Sequence, residues 1–369
     1  MAARPASRHT RERQTRDLQV RAPVRDLNRG SASFRIEWDV RPAFDFVFSL
    51  SGDAGSTDDL PATDRKWLAD AKADLPAEVQ DAATRLFESE AAIHVAVVVV
   101  DRPALRTADD VVAAVASSEP RDIVRAMFDE SSREPEFAVL VDRALAGDSS
   151  ALTALEETMP EYKREARIQM LRDPEKTVAD LVSVLAAWAE RFTPIESRVT
   201  AILERDYEAR ASDRATLAPV DLIERTTGGI RWLAEGGVKR VILAPSYFSR
   251  PYNFLMSASD FRLFAYPVSD EALESVDPLA APQSVVRLHR ALGDDTRLRI
   301  LKLLAGRDLY LTEIAQLLEL SKPTIKHHLA LLRSAGLVTI TESGTVIYYS
   351  LRRNRLDDAS ADIKRFLIG

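Results

Sequence analysis

The chain of 369 residues contains no cysteine, which excludes disulfides and thiolate-ligated metals and is compatible with a reducing compartment. Histidine is scarce as well: five in all, with His94 alone between residues 31 and 283. That segment also lacks a glycine-rich phosphate loop and a nucleophile elbow. Acid pairs such as Asp58-Asp59 and Glu156-Glu157 read as helix-cap or surface residues, so no acid–base or nucleophile constellation points to an enzyme. No apolar run approaches the ~20 residues that cross a bilayer; Val95 to Val100 is among the longest. The arginine-rich N-terminus has no apolar segment of the kind a secretory signal needs. The expectation is a soluble, cytoplasmic protein without membrane contact or cofactor.

What is present is a sizeable core and a segregated charge. Hydrophobic residues make up 46% of the chain, enough for two or three folded domains. The net charge of −7 conceals two basic ends. Residues 284–369 carry 14 Lys+Arg against 9 Asp+Glu, and residues 1–30 carry 8 Arg against 3 acids, each a net of +5. Residues 31–283 therefore hold 28 basic and 45 acidic residues, a net of −17. An acidic body repels a phosphate backbone, whereas the basic C-terminal segment is drawn to one.

Residues 1–30 mix Arg, Pro, Ser and Gln without periodic apolar positions and read as a disordered basic tail, either simply solvated or a DNA-contacting arm. Phe34, Ile36, Trp38 and Val40 alternate as in a half-buried strand. From Pro42 to Ala211 the pattern is mainly helical, with Thr107 capping the run VVAAVA and Pro194 opening a new helix after one that carries Leu181, Leu185 and Trp188. Val95 to Val100 suits a strand or a buried helix. Near the end of this body, Ile230–Trp232, Lys239–Leu243 and Arg262–Tyr266 read as three short strands, the first two joined by a turn at Gly236-Gly237. The aromatic loop from Pro245 to Phe254 suits packing onto the core or the lining of a ligand pocket. Residues 31–276 thus form a mainly helical regulatory or dimerisation domain with a small β-sheet, and 277–283 a linker.

The C-terminal domain, 284–369, states its purpose more plainly. Helices over Ser284–Leu292 and Thr296–Leu304, broken at Gly293-Asp294-Asp295, precede a short helix capped by Thr312, a turn at Glu319-Leu320-Ser321, and a further helix. In that last helix Ser321 is the N-cap, Pro323 sits in the first turn, and Leu320 with Ile325 occupies the positions of a hydrophobic staple. Ile325, Leu329 and Leu332 recur at helical spacing and face the core. Lys322, Lys326, His327, Ala330 and Arg333 are left facing outward, a cationic surface that a DNA groove accepts. Gly336 closes the helix in the left-handed conformation. Val338 and Ile340, then Ile347, Tyr349 and Leu351, alternate on two strands turned at Ser343-Gly344. The sequence predicts a winged helix-turn-helix, whose second helix enters the major groove. Arg352, Arg353 and Arg355 suit phosphate contact or a solvated surface equally.

The segments ALGDDTRLRIL (291–301), LTEIAQLLELSKPTIKHHLALLRSAGLV (311–338) and TVIYYSL (345–351) resemble the ArsR-type bacterial regulators in order and spacing. The resemblance implies a dimeric, DNA-binding transcriptional regulator, most often a repressor released by its signal. By position it places Lys322, Thr324, Lys326 and His327 in the major groove, with Arg333 on the same helix and Ser343 and Thr345 at the wing tip. Metal-sensing members carry cysteines on the helix that here reads 308–313, where Tyr310 and Thr312 stand instead. Others use carboxylates and histidines on a C-terminal helix; here Asp357, Asp358 and Asp362 are present, but no histidine follows His328. The adjacent His327 and His328 point to different sides of a helix and do not chelate one ion. A non-metal signal is therefore expected. The stretches VILAPSYFSRPYNF and RLFAYPV resemble the large N-terminal region of a subgroup of these regulators, without implying a ligand.

The leading expectation is a repressor that binds palindromic operator DNA as a homodimer, with a small-molecule or protein effector acting on the body. The rivals are an adaptor whose body binds a protein partner, and an enzyme with an autoregulatory DNA-binding tail.

Overall fold

A computed structural model describes residues 34–368, apart from 53, 57, 88–91, 101, 129–134, 235–236, 259, 274–278 and 344–345, and describes only the backbone at 162, 342, 343 and 346. The basic tail 1–30, Gly236 and the start of the 277–283 linker lie outside the described residues. The strands are β1 (Arg35–Trp38), β2 (Ile230–Trp232), β3 (Arg240–Ser246), β4 (Phe254–Ser257), β5 (Phe261–Pro267), β6 (Leu309–Tyr310), β7 (Val338–Ser343) and β8 (Val346–Leu351). The helices that carry the argument are α1 (Pro42–Phe48), α2 (Pro174–Ala209), α3 (Gln283–Leu292), α4 (Asp295–Leu304), α5 (Leu311–Leu318), α6 (Lys322–Ser334) and α7 (Arg353–Ile368). The protein is mainly α, with two small sheets and a winged helix-turn-helix at its C-terminal end.

The first sheet has the order β1-β3-β5-β4, with β1, β3 and β5 parallel and β4 antiparallel to β5. Both its faces are covered, which is why β3 and β5 read as nearly unbroken apolar runs. Along β3, Ile242 and Ala244 join the core of the helical body, while Val241 and Leu243 join a second core. Along β5, Leu263 and Ala265 face the first core, and Phe264 and Tyr266 the second. β4 falls in a stretch whose aromatics and prolines had suggested a loop.

α2 is the axis of the body, packed by α1 and by helices over Ala77–Phe87, Ala108–Ala116 and Pro120–Met127. It runs unbroken through Pro194, where the sequence suggested a new helix. An interior proline costs about 3 kcal/mol. Leu181, Leu185, Trp188 and Phe192 before it, and Val199, Ile202 and Leu203 after it, are all buried in one core. Each such side chain contributes about 1.5–3 kcal/mol, so continuity wins. Val95 to Val100 also resolves as helical: a 3-10 turn over Ala92–Ala96 leads into Val97–Val100. It packs against α1 and the Pro120–Met127 helix, where no sheet edge is on offer.

The turn expected between β2 and β3 does not make a hairpin. β2 leaves the first sheet altogether and lies parallel to β7, giving a second sheet of order β2-β7-β8-β6. Gly228 and Gly229, at φ +71° and +126°, swing the chain from the Pro219–Thr226 helix into this position. Trp232 of β2 is buried in the second core together with Leu304, Ile314, Ile325, Leu332 and Ile340 of the C-terminal module. The winged helix-turn-helix therefore shares its core with one face of the body's sheet.

The aromatic loop divides between the two expected roles. Tyr247 and Phe248 are buried, and the Asp45 carboxylate on α1 holds the turn by accepting from Tyr247 N (2.7 Å), Phe248 N (3.2 Å) and the Ser246 hydroxyl. The Tyr247 hydroxyl donates to Asp64, which pairs with Arg198 at 2.9 and 3.0 Å. Tyr252, Asn253 and Phe254 instead line a cleft.

Candidate nucleic-acid interface

The helix-turn-helix is built by short-range rules. Asp294 caps α4 by accepting from Arg297 N at 2.9 Å. α5 starts one position before the expected cap: Tyr310 is its N-cap residue, and Glu313 accepts from Tyr310 N at 2.9 Å. Thr312 lies inside the helix because Leu309 and Tyr310 are held in a strand against β8, so the chain turns helical immediately after. The turn reverses through Glu319 at φ +57°. Ser321 then caps α6, accepting from Thr324 N at 3.3 Å and meeting the Thr324 hydroxyl at 2.7 Å. Ile325, Leu329 and Leu332 are buried, and Gly336 closes the helix at φ +70°.

Of the residues the sequence assigned to DNA, Lys322, Thr324, Lys326 and His327 are exposed on the N-terminal part of α6. They form a cationic surface that also offers hydroxyl and imidazole groups, and the helix N-terminus there favours anions. His328 points elsewhere: it is half-buried, with Nδ1 3.8 Å from Asp294. Ser343 ends β7 with only its backbone described, and Thr345 lies outside the described residues.

Arg333 and Ala330 depart from the outward orientation expected of them. Both are half-buried, and with Ser334 they form one wall of a cleft of about 520 Å³ between α6 and the body. The opposite wall is the 251–257 segment and the Thr227–Ile230 turn. Reading α6 alone identifies its contact with its own module but not this second contact. The body also grips α3. Arg287 forms an ion pair with Asp59 and donates from Nε to the Ser334 carbonyl at 2.7 Å, while Arg290 meets Asp58 at 3.2 Å. Burial brings the Arg287 guanidinium down to about 10. Asp270 receives Arg250 and accepts from Ser284 N at 2.7 Å at the start of α3. None of these pairings has a sequence signature: Asp58 and Asp59 lie more than 220 positions from their partners.

The positions at which related regulators hold metals are otherwise engaged. The Tyr310 and Tyr348 hydroxyls meet at 2.5 Å, and Asp362 is paired with Arg355 at 2.6 Å and with Arg365 at 3.5 Å. Among the described residues no group of three or more His, Cys, Asp or Glu is placed to hold an ion. Arg353 donates to the Ala305 carbonyl at 2.6 Å, so it and Arg355 both have intramolecular partners. Among the described residues no helix is long and apolar enough to cross a membrane.

Residues 294–339 match the family described as bacterial regulatory protein, arsR family. Over 70 residues, 19% of this chain and 78% of the relative, the sequence is 41% identical to the transcriptional repressor SdpR of Bacillus subtilis. It is 36% identical over 77 residues, 21% of this chain and 86% of the relative, to an uncharacterised helix-turn-helix-type transcriptional regulator, MJ1325, of Methanocaldococcus jannaschii. Similarity also extends to a homologue of the cadmium resistance transcriptional regulatory protein CadC of Staphylococcus aureus, at 37% over 71 residues, 19% of this chain and 59% of the relative. Each of these alignments spans only about a fifth of the chain. With its capped and exposed α6, the wing behind it and these alignments, the chain belongs to the arsR family of bacterial regulatory proteins and is a DNA-binding transcriptional regulator.

Proposed function

We propose that the protein is a cytoplasmic repressor that binds a palindromic operator as a homodimer and is released by a signal other than a metal ion. The observation that carries this reading is the exposed N-terminal part of α6, where Lys322, Thr324, Lys326 and His327 stand clear of the body. Ser343 and Thr345 at the wing would reach the flanking backbone or minor groove. The exposed apolar side chains Leu356, Leu367 and Ile368 of α7, a helix without a single buried residue, support a second copy packing there. A two-fold dimer places its half-sites about one helical turn apart.

The non-metal signal is supported by what occupies the ligand positions of metal-sensing relatives, the tyrosine pair at 310 and 348 and the ion-paired Asp362. A regulatory rather than catalytic body is supported by its buried carboxylates. Asp45, Asp64 and Asp206 are each held by hydrogen bonds or ion pairs from within the fold. Selecting DNA fragments with the purified full chain tests the reading. A recovered two-fold site, bound as a dimer by mass, is expected, with affinity falling about 10³–10⁵-fold between 50 and 200 mM salt for ~6–10 phosphate contacts. Monomeric or salt-insensitive binding would refute it.

A further inference from the structure

The cleft behind α6 is where the body meets the DNA-reading helix, and its walls have a specific chemistry. Its volume of about 520 Å³ lies within the range of small-molecule sites, about 300–1,000 Å³. Phe87, Ile93, Phe254, Met256 and Ile347 give it apolar lining. Arg333 supplies a cation, and among the described residues the lining contains no Asp or Glu. That is unexpected in a body of net charge −17, and it makes the cleft a local positive site in an acidic surround. A second observation points to a missing partner. The Asn253 amide donates to the Thr227 carbonyl at 3.0 Å, which fixes its orientation. Its Oδ1 is then left buried with no donor among the described residues. A buried acceptor without a donor is rare in folded proteins and costs about 1–3 kcal/mol.

We infer that this cleft is the effector site of the regulator, and that it takes a small organic carboxylate with an apolar body and a hydrogen-bond donor. The carboxylate pairs with Arg333, the apolar body lies against Phe254 and Met256, and the donor satisfies Asn253. The ligand touches both α6 and the body, so its binding energy depends on how the two are placed. That differential is what couples a site to DNA affinity. The inference rests on the regulatory reading given above.

The test is calorimetric titration of the full chain with salicylate, 4-hydroxyphenylacetate and 3-hydroxyoctanoate, each beside its neutral amide. One carboxylate is expected to bind with one site per chain, and at least about tenfold more tightly than its amide, as a charge-assisted bond implies. Arg333→Met is expected to erase that preference. Ala330→Leu, which narrows the cleft while leaving every charge in place, is expected to weaken the carboxylate and the amide alike. Bound ligand is expected to shift operator affinity by at least about fivefold. Affinities no tighter than about 1 mM for all three, an amide bound as well as its acid, or binding without an effect on DNA affinity would each overturn the inference. Operator binding of the unliganded chain is measured apart. If it is absent, the regulatory reading fails whatever the cleft binds.

Discussion

Ile340 of the wing donates its backbone N–H to the carbonyl of Gly229 at 2.9 Å, and through this bond the body's short strand β2 joins the DNA-binding module. An edge strand of a wing is ordinarily open to solvent and to unwanted pairing; here a segment from the body covers it. The close approach requires glycine. Gly229 sits at φ +126°, and a Cβ there would stand 3.2 Å from the Val338 carbonyl oxygen.

Gly229→Val is therefore expected to cost about 1–3 kcal/mol in urea unfolding and to loosen the wing. Hydrogen exchange at Ile340 should rise in parallel, because its acceptor moves. Unchanged stability together with unchanged protection at Ile340 would show that the pairing contributes nothing.

Asp45 sets a pH dependence. Burial raises its carboxyl from 3.8 to about 6, against the lowering effect of its bonds from Ser246, Tyr247 and Phe248. The folded chain thus holds this proton more tightly than the unfolded chain. Its contribution to stability is complete below the unfolded value near 4 and is lost as pH rises through 6, on the order of 3 kcal/mol in all. Asp45→Asn removes the titration but also misplaces one hydrogen-bonding group against the 246–248 turn. The variant is expected to be less stable throughout, with the gap to the natural chain shrinking between pH 4 and pH 7. A gap that stays constant across that interval would rule out titration at Asp45.

The parts of this molecule legible in the sequence are those fixed within a few residues. Ser321 caps α6, Asp294 caps α4 and Gly336 ends α6 because each bond reaches only three or four positions along the chain. The alternation at Phe34, Ile36 and Trp38 identified β1 in the same way. What escaped was decided by contacts between distant segments. A parallel pairing such as β2 with β7 leaves no turn to recognise, so Gly236-Gly237 suggested a hairpin that the chain does not form. The local penalty at Pro194 was real, but the core on both sides outweighed it. Arg333 faced outward only while α6 was considered without the body.

Arg287 and Asp59 join the first helix of the DNA-binding module to a loop of the body. The pair is largely withdrawn from solvent, with side-chain exposures of 23% and 9%, so removing one partner strands the other. Arg287→Ala is expected to cost about 3 kcal/mol, including the lost bond to the Ser334 carbonyl. Adding Asp59→Asn should recover part of that loss, since the stranded charge is gone. Strict additivity in the double-mutant cycle would mean that the two side chains do not interact.

Lys322 and Lys326 lie one helical turn apart and are both exposed, so they can meet neighbouring phosphates or base edges along one groove. Phosphate contact and base reading leave different signatures. Each phosphate contact removed lowers the slope of log affinity against log salt by about 0.9 and weakens all sequences alike. Loss of a base contact leaves the slope largely intact and relaxes preference at one position, at about 1–3 kcal/mol. Lys322 precedes the first full turn of α6, where the free N–H groups and the helix dipole already attract a phosphate, so Lys322→Ala is expected to lower the slope. Thr324, whose hydroxyl is oriented by Ser321 at 2.7 Å, is expected to read a base, and Thr324→Ala to relax one position of the operator with the slope unchanged. Salt titrations on the selected operator and on single-base variants separate the two outcomes, and an unchanged slope for Lys322→Ala would remove that lysine from the phosphate contacts.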